Sequence, residues 1–287
     1  MKLLFIINPI SGGKQKSTWE EEIRTYFKAS PHSMEFYLLD GQSDEASVRH
    51  YVAQISPDRV VGVGGDGTIK LIAEALMHKN IPLGIIPAGS ANGMAKELGI
   101  PQDVEAAVEV AVNGRCRTID AVEVNGEPCI HLSDIGLNAM LVKSFEQSKS
   151  RGMWGYARAV FKVLRRKQLM KMHIVTDAGT VQRKAYMVVI ANASKYGTGA
   201  TINPDGDVSD GRFEAVVVRR LNLWELSKTL LRNKTFDPEK IEVFSTTQLT
   251  IAVKHRAYFQ VDGEYRGRVR ELQAKVLPGC LQVMVPQ

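Results

Sequence analysis

Cysteine is scarce: Cys116, Cys129 and Cys280 are the only three in 287 residues, and no two form a CxxC pair. An odd, scattered set argues against a disulfide scaffold and a structural zinc site, leaving reduced thiols in the cytoplasm as the expectation. The six histidines form neither HxxxH nor HExxH, so each reads as an ordinary surface or core residue. Long apolar runs are missing as well. None approaches the roughly 18 residues of a membrane span. The first one, residues 3–7, holds five apolar residues before Asn8-Pro9. A secretory core needs about 7–15, so a first β-strand is expected there rather than a signal peptide. Internal repeats and low-complexity segments are absent. The formal net charge of +6 favours anionic partners of three kinds: nucleotide, nucleic acid or acidic membrane.

What is present is a change of texture near residue 115. Before it, apolar strands (3–7, 35–39, 59–63, 82–86) alternate with helical patterns (17–28, 44–55, 68–78, 91–98, 104–112). Ser17 with Glu20 reads as a capping box opening the first helix. Alternation of this kind predicts an α/β N-terminal nucleotide-binding domain with a parallel sheet, over residues 1–115. After it come short β-rich runs (118–124, 185–193, 212–219, 241–244, 248–253, 257–261, 281–285), interrupted by helical stretches near 155–166 and 223–231. They predict a C-terminal β-sandwich domain over 116–287, with the last strand free to return to the first domain.

Ligands of doubly wound sheets bind beyond the carboxyl ends of the strands. Here those ends carry NPISGG, GGDGT and PAGSAN, so three small-residue loops are expected on one edge. In VVGVGGDGT a strand, a glycine loop and a helix start follow one another, which is an anion site built from backbone N–H groups. Asp66 is out of place beside a bare phosphate unless Mg²⁺ or a polarised hydroxyl shares the site. Gly62, Gly64 and Gly67 satisfy GxGxxG, but the dinucleotide fingerprint also wants an acid about 20 positions on. Ile85-Ile86-Pro87 stands there instead. A Walker loop fails too, because Gly12-Gly13-Lys14 is followed by Gln15.

These motifs in this order resemble the diacylglycerol kinase catalytic-domain family, which includes bacterial lipid kinases, sphingosine kinases and ceramide kinases. The resemblance is carried by Asn8-Pro9-Ile10-Ser11-Gly12, Gly64-Gly65-Asp66-Gly67-Thr68, PAGSANGMA from Pro87, Ile135-Gly136-Leu137, Asp210-Gly211 and Asp262-Gly263-Glu264. It implies that Gly64, Gly65, Asp66, Gly67 and Thr68 wrap the phosphates of ATP. Asn8, Pro9, Ser11, Gly12, Gly13, Lys14, Ser90 and Asn92 would complete the nucleotide cleft. It also implies that Asp262 or Glu264 takes the proton of the attacking lipid hydroxyl, with Asp66 catalytic beside them. Two residues apart on a strand, these acids would face the same way. The less solvated one would have the raised pKa of a useful base. A structural Mg²⁺ would sit at Asp210, helped by Asp207 and Arg212, where a plain solvated turn is the competing reading. Two departures stand out: Gly93 replaces the aspartate and Ser90 the threonine of the bacterial GTxND form. Asp40 occupies the usual place of an ATP-contacting threonine.

Residues 149–172 hold eight Lys or Arg and no acid. As a helix over 154–169, Trp154, Ala157, Phe161 and Leu164 line one side and Arg158, Lys162, Arg165 and Arg166 another. Such a helix suits peripheral contact with an anionic bilayer, or packing on the sandwich with an exposed basic face. Nucleic acid is not expected, since interleaved stacking aromatics are missing. The reading is therefore a cytoplasmic lipid kinase visiting the inner face of the membrane. It would use ATP and Mg²⁺, with diacylglycerol as acceptor and a sphingoid base next; a homodimer is among its expected partners. An NAD kinase, or a catalytically silent lipid- or nucleotide-binding regulator, is the alternative.

Overall fold

Apolar β-branched runs bounded by helical segments bury both of their faces, and the first of them do so here. Strand β1 (Lys2–Ile7) is followed by α1 (Lys16–Tyr26), β2 (Ser33–Leu38), α2 (Glu45–Ile55), β3 (Arg59–Gly64), α3 (Asp66–Leu76), β4 (Leu83–Pro87), α4 (Gly93–Glu97) and α5 (Val104–Asn113). The computed structural model describes residues 1–11, 16–28, 30–146, 168–192, 195–196, 200–201, 206–220 and 240–287. Gly12, Gly13 and Lys14, the helix expected near 223–231 and all but the last two residues of that expected at 154–169 lie outside them.

The chain divides into two units, Met1–Asp120 with Gly279–Gln287, and Ala121–Tyr196 with Ala200–Pro278. In the first, β1 pairs in parallel with both β2 and β3, and β3 with β4. The order β2-β1-β3-β4 reverses direction at β1/β3, the topological switch point where such sheets open a crevice. Leu3–Ile7 and Val60, Val61 and Val63 are at most 1 % exposed. Asp44 caps α2 through Ser47 N (2.8 Å), and Asp103 caps α5 through Ala106 N (3.0 Å). Helix α1 begins at Lys16, so Ser17 lies inside its first turn and is not its cap.

The next elements are β5 (Arg115–Val124), β6 (Glu127–Cys129), β7 (Leu132–Gly136), α6 (Leu137–Glu146), β8 (Met170–Thr176), β9 (Gly179–Ala185), β10 (Met187–Ala191), β11 (Lys195–Tyr196) and β12 (Ala200–Thr201). Then come β13 (Phe213–Val218), β14 (Ile241–Thr246), β15 (Gln248–Val261) and β16 (Glu264–Val285). Neighbours β14-β13-β10-β7-β15-β8-β9 of the second unit are all antiparallel. They enclose a core that includes Val122, Ile135, Phe213, Ile251 and Leu272. The fold is thus an α/β unit with parallel strands and a β-sandwich unit. The last residues of β16 return to the first unit, where Val283 pairs in parallel with Leu83 of β4.

Candidate active site

Three loops meet at the carboxyl ends of β1, β3 and β4, and backbone bonds tie them together. Asn8 N donates to Val63 O (2.9 Å) and Ala88 N to Gly64 O (2.9 Å). Asn8 Nδ2 reaches Thr68 Oγ1 at 3.0 Å, while its own Oδ1 accepts from Ile10 N. Asn92 stands at φ +50° and braces its loop, accepting from Gly89 N (2.8 Å) and donating to Gly89 O (3.0 Å). The loops touch backbone to backbone: a Cβ on Gly89 would lie 2.5 Å from Gly65 Cα. Only glycine fits there.

Helix α3 starts without a side-chain cap, since Gly65 at its N-cap has no side chain to offer. Its first N–H groups are therefore available to an anion, and the helix dipole favours one. A cavity of about 540 Å³ opens at this point, lined by Asn8, Pro9, Ser11, Asp40, Gly65, Gly67 and Thr68 among others. Asp66 opens the helix and accepts from Met94 N (3.3 Å) at the start of α4. Gly93 and Met94 are buried beside it, and Ser90 is exposed in the same loop. Asp40 accepts from Gln42 N (2.9 Å) and Ser43 Oγ (2.9 Å). These bonds hold its carboxyl below the usual range and put a fixed negative charge on the cavity wall.

In the second unit Asp262 and Gly263 form a two-residue turn between β15 and β16, at φ +47° and +86°. Asp262 is thus in the turn and not on a strand, so the expected shared face with Glu264 does not exist. The Asp262 carboxylate grips the chain before β7. Oδ1 accepts from His131 N (3.0 Å) and Leu132 N (3.1 Å), Oδ2 from Ile130 N (3.1 Å), and Cys129 Sγ lies 3.4 Å away. Glu264 is 52 % exposed and pairs with Arg266 at 2.5 Å. Arg266 also holds Glu127 in a two-pronged contact (2.7 and 2.8 Å), and these bonds keep it protonated. The buried ring nitrogen Nε2 of His131 has no hydrogen-bond partner.

Asp207 accepts from Ser209 N and Oγ, and Asp210 from Arg212 N. The Arg212 guanidinium binds Ser245. Each acid serves its own turn, and among the described residues no three His, Cys, Asp or Glu gather as for a metal ion. A second cavity, of about 380 Å³, has an apolar floor that includes Leu137, Met140 and Val253. Its rim is basic: Lys171, Lys254, His255, Arg256 and Arg268, with no acid among the described lining residues. Lys143 Nζ (5.0 Å) and the Arg268 guanidinium (4.9 Å) both lie over the ring of Tyr258. Sequence reasoning missed this rim, and missed Asp134 and Gln260. The acid in the apolar run Leu132-Ser133-Asp134-Ile135 was the available signal.

Residues 2–124 match the family described as diacylglycerol kinase catalytic domain, and residues 133–285 that of the YegS C-terminal NAD kinase beta sandwich-like domain. A diacylglycerol kinase of Bacillus subtilis is 25% identical over 271 residues, covering 91% of this chain and 89% of its own. A probable YegS-like lipid kinase of Enterobacter is 25% identical over 252 residues, 85% of this chain and 84% of that one. An uncharacterized Synechocystis protein is 27% identical over 79% of this chain, which spans 54% of its length. Among solved structures, a putative diacylglycerol kinase from Bacillus anthracis superposes with TM-score 0.82 at 20% identity, covering 99% of this chain and 96% of that one. An NAD kinase from Archaeoglobus fulgidus in complex with ATP superposes with TM-score 0.55 at 12% identity, covering 100% and 94%. At these identities the superpositions speak for the fold.

Proposed function

Because the chain belongs to the diacylglycerol kinase catalytic-domain family of lipid kinases, we propose that it transfers the γ-phosphate of ATP to the hydroxyl of diacylglycerol. The observation that carries this reading is the trio of cross-tied loops around an uncapped helix start. Gly65, Gly67 and Thr68 would hold the nucleotide phosphates through backbone N–H groups. Asp66 suits Mg²⁺, an ion that proteins hold through one or two carboxylates while phosphates and water supply the rest. When bound, that ion neutralises charge on the transferring phosphoryl group.

Glu264 is the proton acceptor. Solvation does not pick the base here: Asp262 is the less solvated acid, but both its oxygens are already bonded to backbone N–H groups, whereas Glu264 is half exposed beside one guanidinium. It takes the hydroxyl proton as the lipid oxygen bonds to the γ-phosphorus and the bond to the β-phosphate oxygen breaks, releasing ADP. The basic rim over an apolar floor in the second unit suits an anionic lipid surface. Among the described residues no helix is long and apolar enough to cross a membrane, so contact at the surface is the mode proposed.

The test is transfer from labelled ATP and Mg²⁺ in mixed micelles to diacylglycerol, sphingosine, ceramide or lipid-free NAD, with Glu264→Gln as control. Transfer to diacylglycerol that is lost in the variant supports the proposal. Transfer to NAD alone, or ATP binding with no transfer at all, refutes it.

A further inference from the structure

Asp134 and Gln260 face each other across β7 and β15 in the heart of the sandwich unit, both with no solvent exposure. Asp134 Oδ2 accepts from Gln260 Nε2 (2.5 Å) and from Asn138 Nδ2 of α6 (2.5 Å). Its Oδ1 accepts from Ala139 N (2.8 Å), an amide of the first turn of α6. Burial pushes the carboxyl up to about 6 against the pull of these three donors. With a backbone amide on one oxygen and two side-chain amides on the other, the group stands among donors and acts as their acceptor.

That fact decides the orientation of Gln260. A glutamine amide can turn either end toward a neighbour, but only Nε2 can face Asp134. Oε1 is thereby aimed the other way, where it accepts from Gly263 N at 2.7 Å. In a two-residue hairpin turn with both residues left-handed, the pairing of Val261 with Glu264 leaves the two turn N–H groups needing outside acceptors. Asp262 N finds Leu132 O (2.9 Å). Gly263 N has Gln260.

We propose that Asp134 is a positioning residue for the 262–264 turn, acting through Gln260 to fix the Gly263 amide and with it Glu264. The proposal rests on the reading of Glu264 as the proton acceptor. Asparagine at 134 has a single oxygen, and Ala139 N claims it. Its NH₂ then faces the NH₂ groups of Asn138 and Gln260. Gln260 relieves the clash by turning over, which sets its Nε2 against the Gly263 N–H. The turn amide loses its acceptor, and the residue after it loses its anchor.

The experiment compares Asp134→Asn and Gln260→Met with Glu264→Gln, in the micelle assay and by hydrogen exchange of ¹⁵N-glycine-labelled protein. Gln260→Met leaves Asp134 with both α6 donors, so it removes the relay without unsealing the helix. The expected result is a fall in kcat of about 10–100-fold in both variants, the scale of small misplacement of a reacting group. KM for ATP stays unchanged, and Gly263 exchanges faster. Wild-type kcat in Gln260→Met or in folded Asp134→Asn, beside an inactive Glu264→Gln, overturns the relay alone. So does a loss of kcat without a change at Gly263. Full activity in Glu264→Gln overturns instead the reading on which the relay rests.

Discussion

Asp262→Asn and Glu264→Gln change neighbouring acids by the same one-atom substitution, and they should fail in different ways. The Asp262 carboxylate takes three backbone N–H bonds of 3.0–3.1 Å from residues 130–132. Asparagine keeps the two that reach Oδ1 and sets its NH₂ against Ile130 N. One bond to an ionised acceptor is lost, about 1.5–3 kcal/mol, and a largely buried donor is stranded, about 1–3 kcal/mol. Some relaxation of the turn offsets part of this, leaving a loss of about 2–4 kcal/mol. In a unit of this size that lowers the thermal midpoint by roughly 5–15 °C. Glu264 is half exposed, and its partner Arg266 keeps Glu127 when Glu264 is neutralised. An exposed ion pair contributes about 0–1 kcal/mol, so the midpoint of Glu264→Gln should stay within roughly 3 °C of wild type. Its kcat should fall by about 100-fold or more, the share of a general base. Calorimetry and the micelle assay on both variants separate the effects. An unshifted midpoint in Asp262→Asn, or full turnover in Glu264→Gln, refutes the division of roles.

Gly89→Ala should cost ATP binding before it costs the fold. The new methyl would sit 2.5 Å from Gly65 Cα and 2.8 Å from Asn92 Oδ1, so the two loops must part; calorimetric titration should find affinity lower by about tenfold or more, and unchanged affinity would refute the cradle. Asp134 carries a pH signature. Its carboxyl is pushed from 3.8 up to about 6, so the folded state binds the proton more tightly. Its contribution is full below about pH 4 and is lost as pH rises toward and past 6, on the order of 3 kcal/mol in all. About 2 kcal/mol of this falls between pH 4.5 and 7.5, so denaturant curves at those two values should show wild type losing that much relative to Asp134→Asn, and parallel curves would refute it.

The parallel half of the fold was legible because β1, β3 and β4 are buried along almost their whole length and read as continuous apolar runs, with only the edge strand β2 half-buried. The sandwich half was legible only in part. The first part of β16 runs Glu264-Tyr265-Arg266-Gly267-Arg268-Val269-Arg270-Glu271, with the charged residues exposed and Tyr265, Gly267 and Val269 half-buried between them. Its alternation is real but its hydrophobic content is low, so the sequence there carries little strand signal. Strand β9 hides in the same way behind Gln182, Arg183 and Lys184. Residues 248–253 and 257–261 were separated by three consecutive exposed residues, Lys254, His255 and Arg256. In the structure they are one strand with a register shift between Ala252 and Ala257. A bulge of that kind spoils the period of two without ending the strand.

The loops at the strand ends were legible for a related reason: a backbone anion cradle needs small residues next to one another in the chain, so its whole signature is local. The Asp262-Gly263 turn is local too, and an Asp-Gly pair between apolar runs is a strong hairpin signal. Its partners are not. Asp262 is bonded to residues 130–132 and Gln260 to Asp134, across 126 or more positions. Spacing along the chain therefore suggested two acids on one face of a strand. Topology instead gives Asp262 a carboxylate already occupied by backbone and leaves Glu264 half exposed beside Arg266. A buried acid in an apolar strand must find donors or remain protonated, and three well-placed donors mean that neighbouring segments are arranged around it. Asp134 meets that condition with donors from α6 and β15. Its position in Leu132-Ser133-Asp134-Ile135 therefore predicted a network, while its membership could come only from the fold.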